Sequence, residues 1–329
     1  MNKFKTSSSV AAQFLRTLPV LAYCFFVAAR AGAERDGQGA AGTLLSRPSE
    51  GIAAPFLWRL TTPGCAESWV FGSIHIPSRA LRKLPDSVVR ASRESDAVIC
   101  EIPFDAATIG KIARESMRAS EPLDKRLPPD LYSRCERFMR NISPGFPLSS
   151  LDRMELWAFS FSIFLFEQQI GNIGIDPLDQ VFYKQAVANG KQTGGLETAK
   201  EQLAAMRSFT NGEFIEILRL SLDDVDALRK KGEKPFDRLL AAYCTGSEKK
   251  LTEEVERAEA DYPSTLRGRF EKILLDDRNL RMAERIRKRI LAQPDTRYFF
   301  VIGALHCIGR GSVIERLSGE GTSVQRIDR

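Results

Sequence analysis

The two histidines of this 329-residue chain close two short stretches that resemble each other. The first stretch, WVFGSIH, ends at His75, and the second, FFVIGALH, ends at His306. Both are apolar, aromatic and β-branched, which is typical of a strand, and both end in Gly-x-x-His. The glycine lets the backbone turn or approach a neighbour closely. Either histidine alone is better explained as a buried strand residue, but the repeated context predicts one site for metal binding or proton transfer.

A carboxylate occupies a similar position in a third apolar stretch. Residues 96–102, DAVICEI, predict a compact buried strand with Glu101 near its end. A buried carboxylate without a partner is costly, so Glu101 requires a cation or hydrogen-bond donors. Two imidazoles and a carboxylate can hold a divalent metal and leave a coordination position for water, whose pKa the metal would lower. We therefore predict His75, Glu101 and His306 as metal ligands.

Four further residues could assist chemistry at such a centre. Glu197, in GGLET, and Asp176, in GID, are candidates for a general acid or base. Arg278 and Asn279 could stabilise an oxyanion or hold a substrate carboxylate. Simpler explanations stay open, because Asp176 could cap a helix and Arg278 could belong to a solvated charged face. We predict catalytic roles for Glu197, Arg278 and Asn279.

The elements that would position these residues are strands separated by helices. One stretch, residues 151–169, is apolar nearly all round, which predicts a buried helix. The order predicts a mixed α/β fold with a largely parallel central sheet and a long helical insertion. The strands that carry His75, Glu101 and His306 would be neighbours, with their ligand at the carboxyl ends. The predicted strands cover residues 56–61, 68–74, 96–102, 192–196, 297–305 and 322–327.

The N-terminal region is typical of a targeting segment. Basic residues precede an apolar run over 18–29, and no acidic residue occurs before Glu34. Residues 31–33, Ala-Gly-Ala, form a cleavage site of the A-x-A kind, so we predict a signal peptide over 1–33 and secreted or periplasmic localisation. A mitochondrial transit peptide is the alternative. The apolar run is shorter than the roughly 20 residues that span a bilayer, so no stable span is expected after cleavage.

Net charge and residue composition limit the classes of binding partner and the extent of the folded domain. Residues 1–33 hold four basic residues and no acidic one, which leaves +2 of the formal net charge of +6 for the rest. A nearly neutral chain without interleaved basic and aromatic residues argues against nucleic-acid binding. Residues 34–52 are rich in Gly, Ala and Ser and predict a linker, so the folded domain is expected over 53–329. Six cysteines without a C-x-x-C pair do not indicate a disulfide framework.

Six stretches taken together resemble the TraB/GumN family, which is related to the Tiki metalloproteases. They include FGSIH ending at His75, VICEI around Glu101, and VIGALH ending at His306. The others are GID at 174–176, GLET through EQL at 195–203, and RNLRM at 278–282. The ordered set extends over roughly residues 55 to 327.

The resemblance implies a Tiki/EreA/ChaN-like fold and, for some members, a peptidase. It implies manganese or cobalt as the divalent metal, with zinc as a further candidate, and a peptide or protein substrate. We therefore predict a metal-dependent hydrolase with peptidase activity. The alternative is a non-catalytic protein of the same fold that binds a peptide or haem, because other relatives bind haem or control pheromones.

Overall fold

The computed structural model describes residues 51–234, 236–318 and 321–328, and in this part of the chain six strands form one sheet. The spatial order is β4-β3-β5-β2-β1-β6. The pairs β4–β3, β3–β5 and β5–β2 are parallel, whereas β1 pairs antiparallel with β2 and β6. The predicted mixed, largely parallel sheet is confirmed. The strands are β1 (Leu57–Thr61), β2 (Ser68–Ser73), β3 (Ala97–Cys100), β4 (Gln192–Gly195), β5 (Tyr298–Gly303) and β6 (Ser323–Arg326).

The central strands are the apolar stretches that carry the site. Every residue of β2, β3 and β5 is buried, as expected for strands covered on both faces. The outer strands β4 and β6 are partly exposed. Because β5 lies between β3 and β2, the strands that precede Glu101, His306 and His75 are direct neighbours, as predicted.

Helices fill the long connections before and after β4, where the sequence predicts the helical insertion. Those before β4 are α1 (Asp86–Glu94), α2 (Ala106–Ser116), α3 (Leu123–Arg126), α4 (Pro129–Ile142), α5 (Leu156–Gly171) and α6 (Leu178–Ala188). Those between β4 and β5 are α7 (Ala199–Arg207), α8 (Asn211–Lys230), α9 (Asp237–Cys244), α10 (Glu248–Ala258), α11 (Ser264–Phe270) and α12 (Asp277–Ala292). The short α13 (Ala304–Cys307) and α14 (Val313–Ser318) follow β5.

Helix α5 is buried along most of its length, as its apolar sequence predicts. It packs against α8, where the rings of Phe161 and Phe214 meet edge to face with centroids 6.0 Å apart. The Ser160 hydroxyl donates a hydrogen bond of 2.8 Å to the Leu156 carbonyl oxygen. Ser160 therefore fits into this apolar helix without an unpaired hydroxyl group.

A π-helical segment, Glu271–Asp276, joins α11 to α12. Such segments often occur at functional sites because they change the direction of the side chains that follow. The Leu274 carbonyl oxygen accepts a hydrogen bond of 3.3 Å from Nη1 of Arg278. Arg278 and Asn279 are both buried, although they are consecutive on the first turn of α12.

Two predictions concern residues that the structure does not describe. The signal peptide over 1–33 lies wholly there, and so does the predicted linker except for Gly51 and Ile52, so the domain boundaries stay predictions. In the described part of the chain, we find no helix with the length and apolarity needed to cross a membrane. The five described cysteines form no disulfide with one another.

Candidate metal centre

His75 follows the end of β2, where the chain approaches β5 and the helix after it closely. A Cβ atom on Gly72 would lie 3.0 Å from the Cα atom of Ala304, so this approach requires glycine. The imidazole of His75 is buried, with Nε2 3.3 Å from Oε1 of Glu101. Its Nδ1 lies 3.2 Å from Oδ2 of Asp179 on α6. The two ring nitrogens of His75 therefore face two different carboxylates.

Glu101 lies directly after β3 and is held through both oxygens. Oε1 accepts a hydrogen bond of 2.7 Å from the backbone N–H of Gly303, and Oε2 accepts one of 2.5 Å from Nη2 of Arg278. Burial alone would raise the pKa of Glu101, but Arg278, His306 and His75 outweigh burial and hold that pKa well below its usual value. Glu101 is therefore an ionised carboxylate at neutral pH.

His306 lies on α13 rather than in a strand, because β5 ends at Gly303 and the following residues turn into a helix. The predicted strand over 297–305 is therefore too long at its end. Nδ1 of His306 lies 2.6 Å from Oδ1 of Asn279, and Nδ2 of Asn279 donates to the Gly311 carbonyl oxygen at 3.1 Å. Since the amide is oriented by that second bond, Nδ1 carries the imidazole proton and Nε2 carries the lone pair.

The lone pair of His306 is buried and faces a negative oxygen. Nε2 lies 3.8 Å from Oε1 of Glu101, and no described residue donates a hydrogen bond to it. Burial and the nearby Arg278 lower the pKa of His306 to about 3, so the ring is neutral at pH 7. Two buried acceptors that face each other leave a place that suits a cation or a hydrogen-bond donor.

Gly303 leaves the space between these groups open. A Cβ atom at this position would lie 3.1 Å from Nε2 of His75, 3.3 Å from Oε1 of Glu101 and 3.5 Å from Cδ2 of His306. The second glycine of the Gly-x-x-His pair therefore removes a side chain at the point where the three predicted ligands converge.

The three predicted donors, two imidazole nitrogens and one carboxylate oxygen, are of the kinds that bind divalent metals. Donors about 2.1 Å from a tetrahedral ion lie about 3.4 Å apart, close to the 3.3 Å between His75 and Glu101. The 3.8 Å between His306 and Glu101 is wider. Within the described ranges, no group of three or more His, Cys, Asp or Glu side chains already has metal-site geometry. Binding would require these side chains to close slightly around the ion.

Glu197 lies beside Glu101 at the carboxyl end of the neighbouring strand. Its backbone N–H donates to the Glu101 carbonyl oxygen at 2.7 Å, and a capping box starts α7 at Thr198 immediately afterwards. Its carboxylate accepts hydrogen bonds from Nε of Arg278 at 2.9 Å and Nε of Arg281 at 3.1 Å. Burial raises the pKa of Glu197, but the two arginines more than offset this and lower it.

The other predicted site residues occupy different surroundings. Arg278 is 1% exposed and bridges Glu101 and Glu197, while Asn279 is 2% exposed and contacts His306. Both side chains therefore contact predicted metal ligands. Asp176 lies at the surface, where it pairs with Lys184 at 2.5 Å.

Asp179, which contacts His75, was not predicted from the sequence. Its only signal is its position on the first turn of α6, one turn after Asp176.

A cavity of about 170 Å³ opens beside the centre. His75 and Gly303 line it together with aromatic residues from the helical layer, which include Phe161, Phe164 and Phe270. His75 is therefore accessible from a space that could receive part of a ligand.

A sequence model of the TraB/PrgY/gumN family matches residues 56–326. The chain is 25% identical to "Metalloprotease TIKI2" of Danio rerio, over 82% of this chain and 60% of that protein. It is 24% identical to "Metalloprotease TIKI1" of Homo sapiens, over 90% of this chain and 66% of that protein. It is also 23% identical to "Uncharacterized protein YbaP" of Shigella flexneri, over 78% of this chain and 90% of that protein.

The matches to both TIKI proteins thus leave about a third or more of each relative uncovered. No solved structure matches the chain.

Proposed function

Because the chain belongs to the TraB/PrgY/gumN family, we propose that it is a metal-dependent hydrolase that cleaves peptide bonds. The observation that carries the proposal is the pair of buried acceptors, Nε2 of His306 and Oε1 of Glu101, which face each other at 3.8 Å. A cation between them relieves their repulsion. Several relatives bear the name metalloprotease, which supports a divalent metal and a peptide or protein substrate.

We assign Nε2 of His75, Oε1 of Glu101 and Nε2 of His306 as the ligands. Two imidazoles and one carboxylate leave a coordination position open, as catalytic sites do and closed structural sites do not. A divalent metal bound there would supply Lewis acidity towards a carbonyl oxygen and would lower the pKa of water. Manganese or cobalt is the first candidate, and zinc is the alternative.

The residues around these ligands orient them. Asp179 faces Nδ1 of His75, and Oδ1 of Asn279 accepts a hydrogen bond from Nδ1–H of His306, so each Nε2 is directed towards Glu101. Arg278 keeps Glu101 ionised and holds its second oxygen. Such partners fix the tautomer and the ring orientation of metal-binding histidines.

We assign Glu197, Arg278 and Asn279 to positioning rather than to contact with the substrate. Oε2 of Glu197 accepts hydrogen bonds from Arg278 and, at 3.1 Å, from Nε2 of Gln202, while Oε1 accepts from Arg281. A carboxylate with that many donors and a lowered pKa is a poor proton acceptor. It is well suited to holding Arg278 against Glu101.

The cavity beside His75 would receive the substrate. Its apolar walls exclude water around the bond that reacts, which strengthens electrostatic interactions there. The N-terminal sequence supports an extracytoplasmic location, with the mitochondrion as the alternative.

A direct test purifies the mature chain without metal and adds Mn²⁺, Co²⁺ or Zn²⁺ in turn. We expect cleavage of a mixed peptide library with at least one of these metals. His75→Ala should abolish both metal binding and cleavage while the protein still unfolds cooperatively. Asp176→Ala serves as the matched control, because this predicted acid lies at the surface, away from the centre.

Three results would oppose the proposal. The first is full activity of the His75→Ala variant. The second is peptide cleavage that survives complete removal of metal. The third is tight peptide binding without turnover for every metal, which would favour the non-catalytic alternative.

A further inference from the structure

Glu259 is an ionisable residue of the cavity beside His75 that the proposed chemistry does not use. Glu259 follows the end of α10 and is 7% exposed, yet it lines this cavity. The rest of the lining is largely apolar or aromatic. The aromatic members are Phe161, Phe164, Phe236, Tyr243, Tyr262 and Phe270.

The Glu259 carboxylate has no hydrogen-bond donor or ion-pair partner among the described residues. The other charged residues of the lining are paired, because Arg257 contacts Asp224 at 2.7 Å and Glu254 at 2.8 Å. Glu254 also pairs with Arg238 at 3.0 Å. Glu259 is thus the acid of this cavity that lacks a counter-ion in the described structure.

Besides burial, three titratable groups on the surrounding elements act on Glu259. The pKa of Glu259 is raised to about 9, mainly by burial and to a smaller extent by Glu271 in the π segment and Glu256 on α10. Arg267 on α11 lowers the pKa of Glu259, but by less than burial and these glutamates raise it. The nearby Tyr262 phenol forms a 3.0 Å hydrogen bond with Ser221 instead. The carboxyl group is therefore neutral at pH 7 when the cavity is empty.

We propose that this cavity is a specificity pocket for a lysine side chain of the substrate, with Glu259 as the partner of its ammonium group. The inference rests on the proposed peptidase function. An apolar wall suits the methylene stem of lysine, and a buried, unpaired acid suits a cation at its end.

The size of the cavity suits a lysine side chain. A cavity of about 150 Å³ holds one benzene molecule, which has six heavy atoms. The present cavity of about 170 Å³ can hold the five heavy atoms of a lysine side chain, whereas an arginine side chain has seven. Entry of an ammonium group would convert the neutral carboxyl group to a carboxylate and release its proton to the solvent.

The first experiment measures binding of n-butylamine, which copies the lysine side chain, against n-butanol, which lacks the charge. Calorimetry on the metal-free protein at pH 7 should show tighter binding of the amine, with up to one proton released per molecule bound. Glu259→Gln should weaken amine binding at least tenfold and leave n-butanol unchanged. Glu253→Gln on the exposed face of the same helix is the control and should change neither.

The second experiment compares two peptides that differ only in lysine or norleucine at the position next to the cleaved bond. The wild-type protein should prefer lysine at least tenfold in kcat/KM, and Glu259→Gln should remove that preference without lowering cleavage of the norleucine peptide. Cleavage with no lysine preference, together with equal binding of amine and alcohol, would overturn the pocket and spare the peptidase. Glu259-dependent amine binding without cleavage of any peptide would sustain the cation pocket and refute the peptidase.

Discussion

Replacement of Gly303 by alanine tests whether the three proposed ligands share one ion. The backbone of Gly303 has φ −59° and ψ 139°, which any L-residue can adopt, so the substitution introduces no backbone strain. The added methyl carbon would lie 3.1 to 3.5 Å from all three proposed ligand side chains. It would occupy the space between donors that must close to about 2.0–2.2 Å from a common ion.

The expected effects on stability and on metal affinity differ in size. Mild overpacking costs about 1–3 kcal/mol, and the reduced entropy of the unfolded chain returns about 0.4–1 kcal/mol. The free energy of unfolding should therefore fall by only about 1 kcal/mol. Metal affinity should fall by at least about a hundredfold, which corresponds to about 2.7 kcal/mol.

Competition with a fluorescent chelator measures the metal affinity, and circular dichroism during thermal unfolding measures stability. Gly268→Ala on α11 is the matched control, because no atom lies within 4 Å of its added Cβ. The control should retain metal affinity and should gain up to about 1 kcal/mol of stability. If Gly303→Ala binds Mn²⁺ or Co²⁺ as tightly as the wild-type protein, the three side chains do not hold one ion.

Four further substitutions address the network and the cavity. Asp179→Asn and Asn279→Ala should each weaken metal affinity about 10–100-fold with the fold retained, which chelator competition would detect; unchanged affinity would exclude a positioning role. Arg278→Met should lower the free energy of unfolding by about 3–5 kcal/mol in urea titration, because it leaves Glu101 buried without its cation; a loss under about 1 kcal/mol would contradict this. The pKa of Glu259 is raised from 4.5 to about 9, so its contribution to stability is complete below about pH 4.5 and disappears as pH rises through about 9. Between these values, the wild-type protein should lose stability relative to Glu259→Gln by about 1.4 kcal/mol per pH unit, and parallel stability curves would refute the raised pKa.

The sheet was predictable because the sequences of its central strands are continuously apolar. Continuous apolar runs in β2, β3 and β5 indicate strands buried on both faces, and such strands belong to parallel sheets. The end of β5 was predicted less well. Residues of α13 are as apolar as a strand, so only the backbone turn after Gly303 distinguishes the two.

The roles of the buried polar residues depend on contacts that a sequence does not contain. Asp179 and Asp176 lie three residues apart, yet one faces His75 and the other pairs with a surface lysine. The direction of Arg278 depends on a π-helical segment, for which the sequence offers no recognisable pattern. Sequence could name these residues as candidates, but it could not separate orientation from catalysis.

The two Gly-x-x-His motifs are alike in sequence and different in structure. Because Ser73 pairs with Gly303, the first glycine lies one position away from the second along the paired strands. Gly72 permits close packing of β2 on Ala304, whereas Gly303 leaves room between the proposed ligands. The likeness of the motifs therefore indicates two strands that end at the same edge, and it does not indicate two equivalent half-sites.

Stability alone is a weak explanation for the buried charges around Arg278. Desolvation makes a buried ion pair a weak source of stability, and apolar residues of similar volume are often as stable. Here Arg278 and Arg281 oppose Glu101 and Glu197, so the network is balanced without any contribution from the histidines. Arg278 lowers the pKa of both Glu101 and His306. The network therefore keeps Glu101 deprotonated and His306 neutral. Metal ligands must be deprotonated to bind, so the arginine that neutralises the buried acid also favours the protonation states that the proposed metal ion would need.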